Sequence, residues 1–273
     1  MRGRRERHGV QVIARAAAVL RALEGQIAGM SLGEIAQRVD LPRSTVQRIV
    51  NALAEEELIM AASPSARVRL GPALLRLASG AKLEIVETAR PYIEALSAEL
   101  RETVDLAILV GHEAVFVDHV VAPRRLRLVS DIGVHFPLHC TANGKAMLSL
   151  LADDNVRALL APRLKQHTRY TITSFARFMK ELESVRAGGI AYDREEHTEG
   201  ICAVGAALSD QSGTIAAISI PVPATRFHGH EERLVKALSR CMTDLAYGAN
   251  GAAGVPRPML ASFRTRRDRH ARR

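Results

Sequence analysis

Apolar residues recur at helical spacing near the start of the chain. Val12, Ala16, Val19, Leu20 and Leu23 share one face, and Gly25 and Gly29 end the pattern. Ser31 then predicts a helix start, with Glu34 three residues on as the partner of a capping box and Leu32, Ile35, Ala36 and Val39 as the buried stripe. After the break at Asp40-Leu41, Pro42 suits a first helical turn. A third helix is expected to about Glu56 on Val46, Ile49, Val50 and Leu53. Two helices joined by so short a turn make a helix-turn-helix. Leu58 to Ala61 and Arg67 to Leu70, around Ser63-Pro64-Ser65, read as a hairpin closed by Gly71-Pro72.

Beyond this unit the pattern mixes periods. Helices are expected over Ala73 to Glu87, Pro91 to Leu100, Asn143 to Leu151, Val156 to Leu160, Phe175 to Ala187 and Glu231 to Ala249. Strands are expected over Val104 to Val110, Val115 to Val121, Leu126 to Ser130, Ala203 to Leu208 and Thr214 to Ile220. The fold class is therefore α+β. The division is a disordered basic arm (1–9), a winged helix-turn-helix (10–72), a linker helix (73–87), a second domain (88–250) and a disordered basic tail (251–273).

The third helix carries the chemistry. Ser44, Gln47, Arg48 and Asn51 lie opposite its apolar stripe, with Arg43 and Thr45 at its start. Gln and Asn pair bidentately with adenine, Arg pairs with guanine, and Ser or Thr reach phosphates or bases. A solvated helix face is the bland reading of any polar stripe. Against it, Leu41 to Ala54 contains no carboxylate, and Glu55, Glu56 and Glu57 follow at once, where acids no longer face phosphate. Strand alternation puts Arg67 and Arg69 on one face, positioned for a phosphate track or minor groove. Double-stranded DNA is the partner these features select.

Charge adds less than its total suggests. The chain has 273 residues, with 38 Lys and Arg against 29 Asp and Glu. Residues 1–9 and 257–273 hold eleven of the arginines, and the body between them carries 27 basic and 27 acidic groups. The terminal arginines either add phosphate attraction or keep the ends soluble. Cys140, Cys202 and Cys241 are too few and too scattered for a disulfide framework or a CxxC metal site. No apolar run approaches the roughly 20 residues of a bilayer crossing. A cytoplasmic protein without membrane or secretory segments is expected.

The segments LGEIAQRVDLPRSTVQRIVNALAEEELI, PLHCTANGKAML, DREEHTEGICAVGAAL and TIAAISIPVPATR resemble the IclR family of transcriptional regulators over about residues 10–250. The resemblance implies a winged helix, a linker helix and a GAF-like α/β effector-binding domain, assembled as a homodimer or dimer of dimers. It also places an effector at Thr141, Ala142, Asn143, Asp193, Cys202, Ala203 and Ser219. The opening of a helix at Thr141 agrees, because free N–H groups there attract a carboxylate. Two departures stand out: Ala203 takes a position where many members have Cys, and Pro221 one where many have a second Ser.

The expected function is a sequence-specific regulator on a pseudo-palindromic operator, read by Arg43, Ser44, Thr45, Gln47 and Arg48. Its effector is expected to be a small organic acid of aromatic or keto type, with no cofactor. Three other readings compete with it. One is an architectural DNA-binding protein whose second domain only dimerises. Another is an enzyme with Cys202 as nucleophile, His139 or His197 as base and Asp193 as orienter. Cysteine in the apolar stretch Gly200 to Val204 is usually inert, so no catalytic residue is expected. The third is a metal site of His135, His139, Asp193 and His197, which Pro137 disfavours by breaking helical spacing; no metal is expected.

Overall fold

The computed structural model describes residues 3–61, 67–80, 84–128, 131–160, 164–210 and 212–249. It divides into two compact units, residues 1–82 and 83–273. Among the described residues no helix is long and apolar enough to cross a membrane.

The first unit contains α1 (Gly3–Ala22), α2 (Leu32–Val39), α3 (Arg43–Glu55), a hairpin of β1 (Ile59–Ala61) and β2 (Val68–Leu70), and α4 (Ala73–Gly80). Val19, Leu23, Ile35, Val46, Val50, Leu53, Ile59 and Val68 close its core. Ser31 and Glu34 form the expected reciprocal capping box. Asp40 ends α2 in the left-handed region (φ 50°, ψ 51°), which Asp tolerates better than most residues, and its N–H bonds back to Ala36. Gly29 has φ +74°, and a Cβ there would stand 2.7 Å from the Val68 carbonyl, so only glycine lets the wing approach this turn. That approach is made by the antiparallel bridge Met30 to Val68.

The first helix starts earlier than expected. Its backbone is already helical at Gly3, inside the segment read as a disordered arm, where Arg and Glu are good helix formers. The tail over 251–273, the Ser63-Pro64-Ser65 turn and residues 81–83 of the expected linker helix lie outside the described residues.

The second unit contains α5 (Glu84–Leu100), β3 (Val104–Val110), β4 (Glu113–Val120), β5 (His135–Pro137), α6 (Ala142–Ser149), α7 (Asp153–Leu159), α8 (Phe175–Gly188), β6 (Ala191–Arg194), β7 (Ile201–Ser209), β8 (Ile215–Pro223), α9 (Ala224–Phe227) and α10 (Glu231–Ala249). The strands form one antiparallel sheet in the order β5-β4-β3-β8-β7-β6. One face sends Val104, Leu106, Val204, Ile218 and Ile220 into a layer with Ile93 and Leu96 of α5 and Leu238 and Met242 of α10. The other sends Ala107, Phe116, Ala191 and Ala217 against Met147 of α6, Val156 of α7 and Phe178 and Leu182 of α8.

Three expectations fail here. α5 runs through Pro91 rather than restarting at it, although the ring removes one backbone donor. The stretch from Leu126 is bends and coil as far as residue 128, with no strand partner. β5 and β6, unpredicted, supply the sheet's two edges.

Candidate nucleic-acid interface and ligand site

On α3 the buried residues are Val46, Ile49, Val50 and Leu53, while Arg43, Ser44, Gln47, Arg48 and Asn51 are exposed and Thr45 is half-buried. Gln47 Nε2 donates to Asn51 Oδ1 at 2.7 Å. This pairing fixes the Gln47 amide and leaves its oxygen and second N–H outward, the acceptor and donor that an adenine edge matches. No acid stands in the first turn of α3.

The two wing arginines differ. Arg69 is exposed and has no hydrogen bond or ion pair among the described residues. Arg67, expected beside it on a phosphate track, is instead turned back into its own unit. Its Nε donates to Gly29 O at 2.8 Å, and its Nη2 lies 3.1 Å from both Glu34 oxygens. The cause is local: the Gly29 turn and the α2 capping box meet the wing where β2 begins. The Glu34 carboxyl is held below the usual range, first by the Ser31 backbone N–H and less by Arg67.

The second site lies where α6 meets the sheet. Thr141 caps α6, its Oγ1 accepting from Gly144 N–H at 3.2 Å and donating to Pro137 O at 2.8 Å. Asn143 Oδ1 also accepts from Gly144 N–H, at 2.9 Å. The Ala142 and Asn143 amides have no hydrogen-bond partner among the described residues. The helix start seats closely on β7, because a Cβ on Gly205 would stand 2.9 Å from Ala142 C and O and 3.1 Å from Asn143 N. Unpartnered amides at a helix start present partial positive charge to an anion.

Strand register decides which nominated residues share this face. Asp193 pairs with Ala203, Ala203 with Pro221, and Gly205 with Ser219. Ser219 is two residues from Ala217, which packs in the α6 layer, so Asp193, Ala203 and Ser219 face α6. Cys202 is one residue out of phase. It packs with Val204 in the α5 and α10 layer, which corrects its expected place beside the others. Burial pushes its thiol up to about 11, a poor nucleophile at neutral pH.

Asp193 is 5% exposed, and its Oδ1 accepts from Glu196 N–H at 2.7 Å. Burial, the largest influence, pushes its carboxyl up to about 7. Behind it lies a pair that sequence reading missed: Lys145, wholly buried on α6, donates to Glu196 Oε1 at 2.6 Å. Thr168 and Thr171 donate to the carbonyls of Glu195 and Glu196, so the loop carrying these groups is held on both sides.

The histidines group differently from the candidate metal set of His135, His139, Asp193 and His197. His135 pairs with exposed Glu113 at 2.8 Å. His139, Cys140 and His167 bring donor atoms within 4.8 Å of one another, and His197 stacks on His167. Burial, chiefly, raises the Cys140 thiol to about 12, with Asp193 and Glu196 adding, which disfavours the thiolate that a metal takes.

Comparison with known proteins gives two family matches. The model described as the IclR helix-turn-helix domain matches residues 12–60, and that described as bacterial transcriptional regulator IclR C-terminal matches residues 78–247. The chain is 48% identical over 243 residues to the HTH-type transcriptional regulator Rv1719 of Mycobacterium tuberculosis, covering 89% of this chain and 94% of that protein. It is 42% identical over 230 residues to the HTH-type transcriptional regulator TtgV of Pseudomonas putida, covering 84% and 88%. Its fold is similar to an IclR homolog from Microbacterium hydrocarbonoxydans solved with 4-hydroxybenzoate. That match has a TM-score of 0.77 and 19% identity, and covers 88% of this chain and 99% of that one.

Proposed function

The chain belongs to the IclR family of bacterial transcriptional regulators, and from that premise we propose how its two units divide the work. Two copies of α3, from a dimer or a dimer of dimers, enter successive major-groove faces of a pseudo-palindromic operator. Arg43, Ser44, Thr45, Gln47 and Arg48 carry base and phosphate recognition, and Arg69 contacts phosphate. The observation that carries this reading is the exposed, acid-free face of α3 with its amide already oriented by Asn51.

The second unit binds a small organic acid, aromatic or keto, whose carboxylate sits on the free amides of Ala142 and Asn143, with Asp193 and Ser219 beside it. A fold relative solved with 4-hydroxybenzoate makes aromatic acids the first to try. Binding changes operator affinity through the segment joining the units, and a coupling of about 1–3 kcal/mol is sufficient. The test is operator retention by the full chain with and without a panel of carboxylates. A ligand-dependent change on the operator, absent from unrelated DNA, supports the reading; DNA binding indifferent to every acid favours the architectural alternative.

A further inference from the structure

On the side of the sheet away from α6, three arginines converge on one acid. Arg124 lies beyond β4, Arg226 on α9 and Arg233 near the start of α10, and with Glu102 and His230 they line a cavity of about 120 Å³. Glu102 is 6% exposed and spends both oxygens on the Arg226 fork, at 2.8 Å each, while Arg124 Nε approaches the same carboxylate at 3.4 Å. Arg124 Nε also donates to Arg101 O at 2.6 Å, and Arg233 Nη2 donates to Glu99 O at 3.3 Å, which fixes where both side chains stand. These bonds leave donors unused. Both terminal nitrogens of Arg124, Nη1 of Arg226 and Nη1 of Arg233 have no hydrogen-bond partner among the described residues. Three guanidinium groups against one carboxylate give the wall a net charge of +2 with His230 neutral. The neighbouring acids are already engaged, Glu99 with Arg240, Glu231 with Arg194 and Glu232 with Lys236. Leu100, Val222 and Leu234 close the cavity from the α5 and α10 layer, and such apolar walls concentrate the field on a counter-ion.

We propose that this cavity binds a dianionic phosphate group, free or carried by a small ester. A dianion matches the charge of the wall. Guanidinium forks arriving from three separate elements suit a tetrahedral group, which turns acceptors in three directions where a planar carboxylate turns two. The space is several times what one water needs, on the order of 10–15 Å³. His230 and Arg233 also line a groove of about 750 Å³ beside the cavity, with Val235 and Ser239 in its wall, and the organic part of an ester can lie there. The site shares no residue with the acid site at α6 and stands or falls independently of it.

Calorimetric titration of the full chain tests this with inorganic phosphate, glycerol 3-phosphate and acetate, at pH 8 and fixed ionic strength, where the phosphates are chiefly dianions. Both phosphates are expected to bind saturably and at least about tenfold tighter than acetate. Tighter binding of the glycerol ester identifies an ester as the ligand, and equal or weaker binding identifies free phosphate; either order sustains the site. Arg124→Gln and Arg233→Gln leave buried Glu102 paired with Arg226, and each should weaken phosphate about tenfold. Arg194→Gln, outside the cavity, should leave it unchanged. Arg124→Lys and Arg233→Lys keep the charge and lose the fork; they should weaken phosphate by a smaller factor, and they carry the test if a glutamine variant fails to fold. The proposal is overturned if phosphate binds no tighter than acetate, or if the folded cavity variants bind it as the parent does, which puts the anion elsewhere. Loss of duplex affinity by those variants without phosphate would also overturn it, by assigning the arginines to DNA.

Discussion

Arg67 Nη2 stands 3.1 Å from both carboxylate oxygens of Glu34, so the wing's second strand is tied to the box that caps α2. Arg69, two residues along, has no such tie. The two arginines should therefore fail differently. Arg69→Ala should weaken binding to all duplexes alike and reduce the salt slope by about 1. Arg67→Ala should lower the melting temperature of the free protein, and its loss of DNA affinity should follow from a displaced wing. Anisotropy over a salt series, alongside thermal melts, separates the two; identical salt slopes and melts would mean they share one role.

Gly205 supports the start of α6, and a methyl group there meets the backbone of Ala142 at 2.9 Å. Gly205→Ala should shift the amides that hold the carboxylate and destabilise the second unit by about 1–3 kcal/mol. Acid binding should weaken while operator binding by the first unit persists. Acid titration and operator retention on the same preparation check both halves.

Asp105 and Asp193 are both pushed up to about 7, chiefly by burial. Between about pH 4 and 7 the folded chain holds protons that the unfolded chain has released, so their contribution to stability falls as pH rises through that window. Each group contributes a slope of at most about 1.4 kcal/mol per pH unit. Asp105→Asn removes one of them. Urea unfolding at pH 5 and pH 8 should show a smaller loss in this variant than in the parent chain; an equal loss would mean Asp105 ionises as freely folded as unfolded.

Asp193→Ala should leave operator affinity intact and abolish the response to acid, because Asp193 lies in the second compact unit and α3 in the first. Retention assays with and without 4-hydroxybenzoate test this. A variant that loses operator binding and ligand response together would show that the two sites are not separable.

Much of this was legible because it is local. The Ser31 to Glu34 capping box and the bounds of α10, Glu231–Ala249, follow from spacing along a single element. The polar face of α3 follows from helical period alone. What sequence does not show is pairing. β5 is three residues long, and β6 is a four-residue edge strand ending in Asp193 and Arg194; neither has enough alternation to announce itself. The place of Cys202 turned on a period of two, in which a slip of one residue exchanges the faces of the sheet. Asp105 is a charge inside an apolar strand that sequence reading passed over. Its position opposite His119 depends on a register shift between Leu106 and Ala107, which no local pattern encodes. Arg67 looked like Arg69 until the Gly29 turn brought Glu34 to it.

Reading of DNA sequence by the exposed face of α3 is the proposal on which the others depend. Its most direct test is anisotropy of the full chain on the intergenic DNA beside its own gene and on an unrelated duplex, comparing the parent with Gln47→Ala and Arg48→Ala. Each substitution should cost about 1–3 kcal/mol on the intergenic site and little on the unrelated one, narrowing the preference between them. Equal affinity of the parent for both duplexes, or variants that bind the intergenic site unchanged, would contradict the assignment.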